Sequence, residues 1–126
     1  MSIFSAAGAA VRRADLVVLC TPIAQMRALV EQALPALKAG ALVTDVGSVK
    51  AGVVAELEPL VAQAGAHFVG SHPMAGAEKT GPAAARADLF EQAVCVVTPG
   101  AKTPAKAILQ TEELWSAVGG RTLRLN

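Results

Sequence analysis

The chain has 126 residues, the size of one domain, and 53% of them are apolar, which excludes a disordered, solvated polymer. Eleven Lys and Arg against ten Asp and Glu leave a net charge of +1, so no overall field draws the protein to nucleic acid or to an anionic membrane. With three Phe, one Trp and only the short basic clusters Arg12-Arg13 and Arg121/Arg124, it has little with which to stack bases, and no nucleic-acid partner is expected.

The first stretch, MSIFSAAGAAVRRADLVVLC, imitates an export signal. Its charges are misplaced for one: Arg12, Arg13 and Asp15 follow the first apolar segment, Leu19 rather than a small residue precedes Cys20, and LVVL is too short to span a bilayer. The expectation is a cytoplasmic protein with no membrane partner. Cys20 and Cys95 lie in apolar runs without a CxxC partner, and both are expected to be small buried hydrophobes rather than a disulfide.

Short β-branched runs alternate with longer segments of helical period, the pattern of an α/β fold with a mostly parallel sheet flanked by helices. Leu16 to Cys20 is a continuous apolar run, expected to be a strand covered on both faces and ended by Thr21-Pro22. Ile23, Met26, Val30, Ala33 and Leu37 recur at three- and four-residue spacing, which predicts a helix stopped by Gly40. Ala41 to Val46 is the second predicted strand. After the turn at Gly47-Ser48, Val53, Val54, Leu57, Leu60, Val61 and Ala64 mark the inner face of a second helix ending at Gly65. His67 to Gly70 is a short third strand, Pro82 to Ala87 a helical turn, and Val94 to Thr98 a fourth strand. Thr103-Pro104 reads as an N-cap with proline at the first helical position, opening a helix through Trp115 and Val118 that stops at Gly119-Gly120; Arg121 to Leu125 closes as a last strand.

In an open parallel sheet, ligands bind beyond the carboxyl ends of the strands. Cys20-Thr21-Pro22, Asp45-Val46-Gly47-Ser48 and Gly70-Ser71-His72-Pro73 each follow a predicted strand, so these loops are expected to line one crevice. DVGSVK, residues 45–50, places a carboxylate, a glycine, a hydroxyl and an ammonium at the mouth of a helix. Ser48 suits a helix cap, and a capped N-terminus also offers N–H groups to an anion. His72 offers an imidazole, the side-chain type most used to move protons, with Pro73 stiffening the backbone behind it, which suits a proton acceptor but equally a solvated loop histidine. His67 and His72 lie five apart without cysteines beside them, so no metal site is expected. Glu78 and Lys79 read either as a surface ion pair or as charges at the crevice mouth.

ADLVVLCTPI, LVTDVGSVK, FVGSHPMAGAEKTG and ADLFEQAVCVVTP, in that order across residues 14 to 99, resemble the prephenate and arogenate dehydrogenase family. The HPMAG-x-E block after a D-x-GS-x-K block carries the resemblance, since neither is a generic dinucleotide-binding pattern. The resemblance implies a Rossmann-type sheet and NAD- or NADP-dependent oxidation of a cyclohexadienol with loss of its ring carboxylate. The product is 4-hydroxyphenylpyruvate from prephenate or tyrosine from arogenate. It puts His72 where it takes the ring-hydroxyl proton, Ser48 where it orients that histidine and the nicotinamide end of the cofactor, and Glu78, with Lys79 beside it, near the substrate. It also runs Thr21, Pro22, Asp45 and Gly47 past the cofactor.

The sequence departs from the family pattern at both ends. No G-x-G-x-x-G occurs, Gly8 stands alone, and only residues 1–15 precede the first predicted strand. The family's following helical domain, with its carboxylate-holding arginine and main dimer contact, has no counterpart. The expectation for residues 1–126 is therefore a single domain equivalent to the C-terminal half of a dinucleotide-binding domain. Its first strand would present an exposed edge, favouring self-association or a partner chain. Three readings follow: a truncated dehydrogenase, one half of a split enzyme completed by another polypeptide, or a non-catalytic binding module that reuses the crevice.

Overall fold

A computed structural model describes residues 11–47, 51–74, 93–100 and 102–125. Along the chain run β1 (Leu16–Leu19), α1 (Ile23–Ala33), β2 (Leu42–Asp45), α2 (Ala51–Ala62), β3 (His67–Pro73), β4 (Val94–Thr98), α3 (Ala105–Ala117) and β5 (Arg121–Arg124). The strands form one sheet in sequence order. β1, β2 and β3 are parallel; β4 is antiparallel to β3, and β5 runs parallel to β4.

Side-chain alternation assigns the two faces. Val17, Val43 and Phe68 form a row across β1, β2 and β3 and pack beneath α1 (Met26, Val30) and α2 (Val53, Leu57, Val61). On the opposite face Leu42, Val69, Cys95 and Val97 pack against Ala107 and Trp115 of α3. β2 lies between β1 and β3, buried along its whole length, and it carries the polar pair Thr44-Asp45 into the interior.

β3 changes partner midway. Through Val69 it pairs with β2, and from Gly70 to Pro73 it pairs with β4, which aligns His72 with Val96. It is therefore longer than the expected His67–Gly70, and His72 lies in a strand rather than in a loop beyond one. Ladder bonds from the incoming antiparallel β4 hold these residues extended.

Other boundaries also move for identifiable reasons. α1 ends at Ala33 instead of running through Leu37, because Pro35 has no N–H to give to the Glu31 carbonyl; a 3₁₀ turn, Leu34–Ala36, follows. Gly40 ends the connection at φ +84° and donates its N–H to Gly65 O at 2.8 Å. Pro59 is tolerated inside α2. Thr103 is not the cap of α3. Its hydroxyl accepts the Gly100 N–H at 2.7 Å and donates to Glu58 Oε2 at 3.3 Å, so it ties the loop to α2 while Pro104 takes the cap position. The predicted helical turn at 82–87 lies outside the described residues.

β1 is not covered on both faces. Among the described residues it pairs only with β2, and Leu16 is 40% exposed. A hollow of about 200 Å³, lined by Val11, Val17, Leu19, Leu29, Ala33 and Leu37, runs beside it. The same position at the sheet edge exposes Cys20, contrary to the expectation of a buried thiol, whereas Cys95 is buried and its thiol pKa is raised by desolvation. Among the described residues no helix is long and apolar enough to cross a membrane.

Candidate active site

Thr44 and Asp45 are both 0% exposed, so every polar atom they bring into the core needs a partner. The Thr44 hydroxyl lies 2.6 Å from Val69 O and 2.6 Å from Ser71 Oγ, and Ser71 Oγ donates to the Asp45 carbonyl at 2.7 Å. Two hydroxyl protons thus serve three contacts, so one contact lacks a proton of its own at any moment. The Asp45 carboxylate accepts the Ser71 N–H on Oδ1 and the Gly47 N–H on Oδ2, each at 3.1 Å. This set ties β2 to β3 where β3 leaves β2 for β4.

His72 follows Ser71 directly, is half-buried, and has Nδ1 3.5 Å from the Val46 carbonyl. The distance is at the outer limit of a hydrogen bond. A carbonyl only accepts, so a hydrogen bond here requires the proton on Nδ1, and that tautomer would leave the Nε2 lone pair to take a proton from a ligand. Histidine contacts of this kind are often long before substrate binds.

The β1 end joins the same place. Leu19 pairs with Asp45. At Gly47 an added Cβ would lie 3.1 Å from Asp45 Oδ2 and 3.4 Å from Ile23 Cγ1, so this turn lies against the first residue of α1 with little space for a side chain. Pro22 caps α1 without a side-chain bond. Just before it, Thr21 Oγ1 is buried and has no hydrogen-bond partner among the described residues. An orphaned hydroxyl beside a glycine turn and a helix N-terminus is a polar edge ready for a ligand.

The structure thus brings Thr21, Pro22, Asp45, Gly47 and His72 to one side of the sheet. Ser48, Glu78 and Lys79 lie outside the described residues. Thr44, Ser71 and the Val46 carbonyl were not singled out by sequence reasoning. A Thr-Asp pair ending an apolar strand was a legible signal for the first, whereas a backbone carbonyl carries none. A wider groove of about 540 Å³, lined by Glu58, His67, Phe68, Lys102 and Thr103 among others, opens at the other end of β3. Its volume alone would favour it, but the histidine, the orphaned hydroxyl and the glycine turn all converge at the opposite end.

Residues 3–124 match the family described as "Prephenate dehydrogenase, nucleotide-binding domain". The chain is 42% identical over 113 residues to the cyclohexadienyl dehydrogenase of Zymomonas mobilis, covering 89% of this chain and 38% of that protein. It superposes with a TM-score of 0.80 and 34% identity on the prephenate dehydrogenase of A. aeolicus in complex with hydroxyphenyl propionate and NAD+, covering 89% of this chain and 38% of that one. The Synechocystis arogenate dehydrogenase gives 0.81 and 29%, with coverage of 93% and 41%. The chain spans about two fifths of the length of these relatives. Sequence and fold agree: the chain belongs to the prephenate dehydrogenase family, and what matches is the nucleotide-binding domain.

Proposed function

We propose that this chain carries the proton-accepting half of an NAD- or NADP-dependent dehydrogenase that oxidatively decarboxylates prephenate or arogenate, a step toward tyrosine in the cytoplasm. The observation that carries the reading is the junction of the Asp45–Gly47 turn with Ser71-His72, which aims one imidazole nitrogen at a carbonyl and frees the other. Thr21, Pro22 and Gly47 fit the nicotinamide end of the cofactor: an unpartnered hydroxyl suits a carboxamide or ribose group, and the glycine turn leaves the backbone approachable. When bound, the cofactor supplies the hydride acceptor.

The remaining chemistry belongs to this chain's residues. His72 Nε2 takes the ring-hydroxyl proton as the carbinol carbon is oxidised, and returns it to the phenolate oxygen left when the ring carboxylate departs as CO₂ and the ring becomes aromatic. Ser48 stands by resemblance beside the histidine, and Glu78 and Lys79 toward the substrate. Holding reactants in line is the other contribution, and the buried β2–β3 polar set supplies the rigidity for it.

The chain corresponds in this reading to the second half of a dinucleotide-binding domain, and the glycine-rich half adds its first strand to β1. The open β1 edge and the apolar hollow beside it favour such a partner, or self-association in its absence. The test is a chimera supplying the glycine-rich half and the helical domain of the Zymomonas relative, assayed for prephenate- and arogenate-dependent reduction of NAD and NADP. His72→Asn should lower turnover by roughly 10²–10⁴-fold; a variant within tenfold of the parent would remove His72 from the reaction. Sub-micromolar NAD binding by the 126-residue chain alone, read by calorimetry, would overturn the half-domain assignment.

A further inference from the structure

Asp45 belongs by resemblance to the cofactor-binding residues, yet it is 0% exposed and both carboxylate oxygens accept backbone N–H groups. Those two N–H groups are not arbitrary. Gly47 closes the turn whose middle residue is Val46, and Ser71 immediately precedes His72. The carboxylate therefore bridges the two backbone segments that present the Val46 carbonyl and the imidazole to each other. Ser71 Oγ on the Asp45 carbonyl, and Thr44 behind it, close the same bridge from the other side.

We propose that Asp45 is a positioning residue: by holding Gly47 and Ser71 on one carboxylate it fixes the Val46 carbonyl against His72 Nδ1 and so sets the imidazole tautomer. The catalytic meaning of that tautomer rests on the dehydrogenase reading above; the tautomer itself does not. A carboxylate suits the task because it accepts on both oxygens. Asparagine, its isostere, accepts on one and turns an NH₂ toward the other backbone N–H. One of the two segments then loses its tether to the carboxylate, and the Val46–His72 separation, already 3.5 Å, lengthens beyond hydrogen-bond reach.

The test uses the chain labelled with ¹⁵N-histidine and long-range ¹H–¹⁵N spectra above the imidazole titration range, with exposed His67 as internal reference. In the unsubstituted chain His72 should be mainly the Nδ1–H tautomer, and His67 mainly the Nε2–H tautomer that a free imidazole in water prefers. Asp45→Asn, folded as judged by the Trp115 indole signal, should move His72 to mainly Nε2–H. Ser71→Ala removes only the Oγ contacts and should keep Nδ1–H. The proposal is overturned by Nε2–H at His72 in the unsubstituted chain, by a folded Asp45→Asn that retains the parent tautomer, or by Ser71→Ala shifting it as fully as Asp45→Asn. If Asp45→Asn does not fold, the unsubstituted chain still decides: its tautomer is read directly, and a Gly47 amide exchanging at the unprotected rate overturns the bridge. Activity is not read in any arm, so failure of the dehydrogenase reading leaves these outcomes intact, and the reverse holds.

Discussion

Gly120 offers a test of how tightly the α3 face is packed. Its N–H donates to Trp115 O at 2.8 Å at the end of α3, and a Cβ added there would lie 2.8 Å from Cys95 Sγ and 3.0 Å from Trp115 O. Cys95 is 0% exposed and Trp115 4%, so neither neighbour has free space to move into. Gly120→Ala therefore overpacks the core, at a cost of about 2 kcal/mol. With an unfolding entropy of roughly 2.1 cal/mol/K per residue, a chain of 126 residues loses about 8 °C in Tm for that change. Cys95→Ala alone opens a small hole and costs about 1 kcal/mol. In the double variant the new methyl enters the space the sulfur vacated, so the combined cost should fall short of the sum by about 1 kcal/mol. Urea melts of the four proteins measure the cycle. If Gly120→Ala costs under about 0.5 kcal/mol, or the two changes add, the contact between β4 and the end of α3 is looser than described.

The two thiols should separate cleanly: a thiol reagent titrates Cys20 alone in the native protein and both cysteines after denaturation, and a second native equivalent at the same rate would contradict the burial of Cys95. Burial holds the Cys95 thiol pKa above its unfolded value, so its contribution to stability is complete below the ordinary thiol range and is lost as pH rises, because the unfolded chain ionises first. Urea midpoints should therefore fall between about pH 8 and 9.5, and the slope should lessen in Cys95→Ala; equal slopes would exclude Cys95 as the cause. Pro59→Ala should stabilise the fold by about 1 kcal/mol, since the recovered bond to the Ala55 carbonyl outweighs the lost stiffness of the unfolded chain. A lower midpoint would mean that α2 has adapted fully to its proline.

What could be read from sequence followed the range of the forces involved. Periodicity located every described helix and strand, because apolar spacing is a local property that burial converts directly into a face: Val53, Leu57 and Val61 are buried together as their spacing implies. Local chemistry was overlooked where a single residue contradicted the period, as at Pro35, whose missing N–H ends α1 early. It was misjudged at Thr103, where a tertiary partner, Glu58, competed for the hydroxyl a cap would use. The exposure of Cys20 and Leu16 depends on what lies beside β1, which its own apolar run cannot express. At the candidate site, titratable side chains and glycine turns stood out as residue types, so Asp45, Gly47 and His72 were legible. Their connection was not: it runs through the backbone N–H groups of Gly47 and Ser71 and the Val46 carbonyl, and backbone atoms are the same in every sequence.

The reversal of direction between β3 and β4 has a further effect on how this fold can vary. Because the two strands are antiparallel, the chain leaves β3 and returns to β4 at the same end of the sheet, where the Met74 N–H donates to Val94 O at 2.9 Å. A parallel neighbour would have required a crossover spanning the full strand length. Met74 and Val94 instead lie at adjacent points, two residues along β3 from His72. Insertions, deletions and exchanges between those points leave the strand register unchanged. The backbone that carries the proposed proton acceptor thus takes its register from β2 and β4, whatever the length of chain that joins β3 to β4.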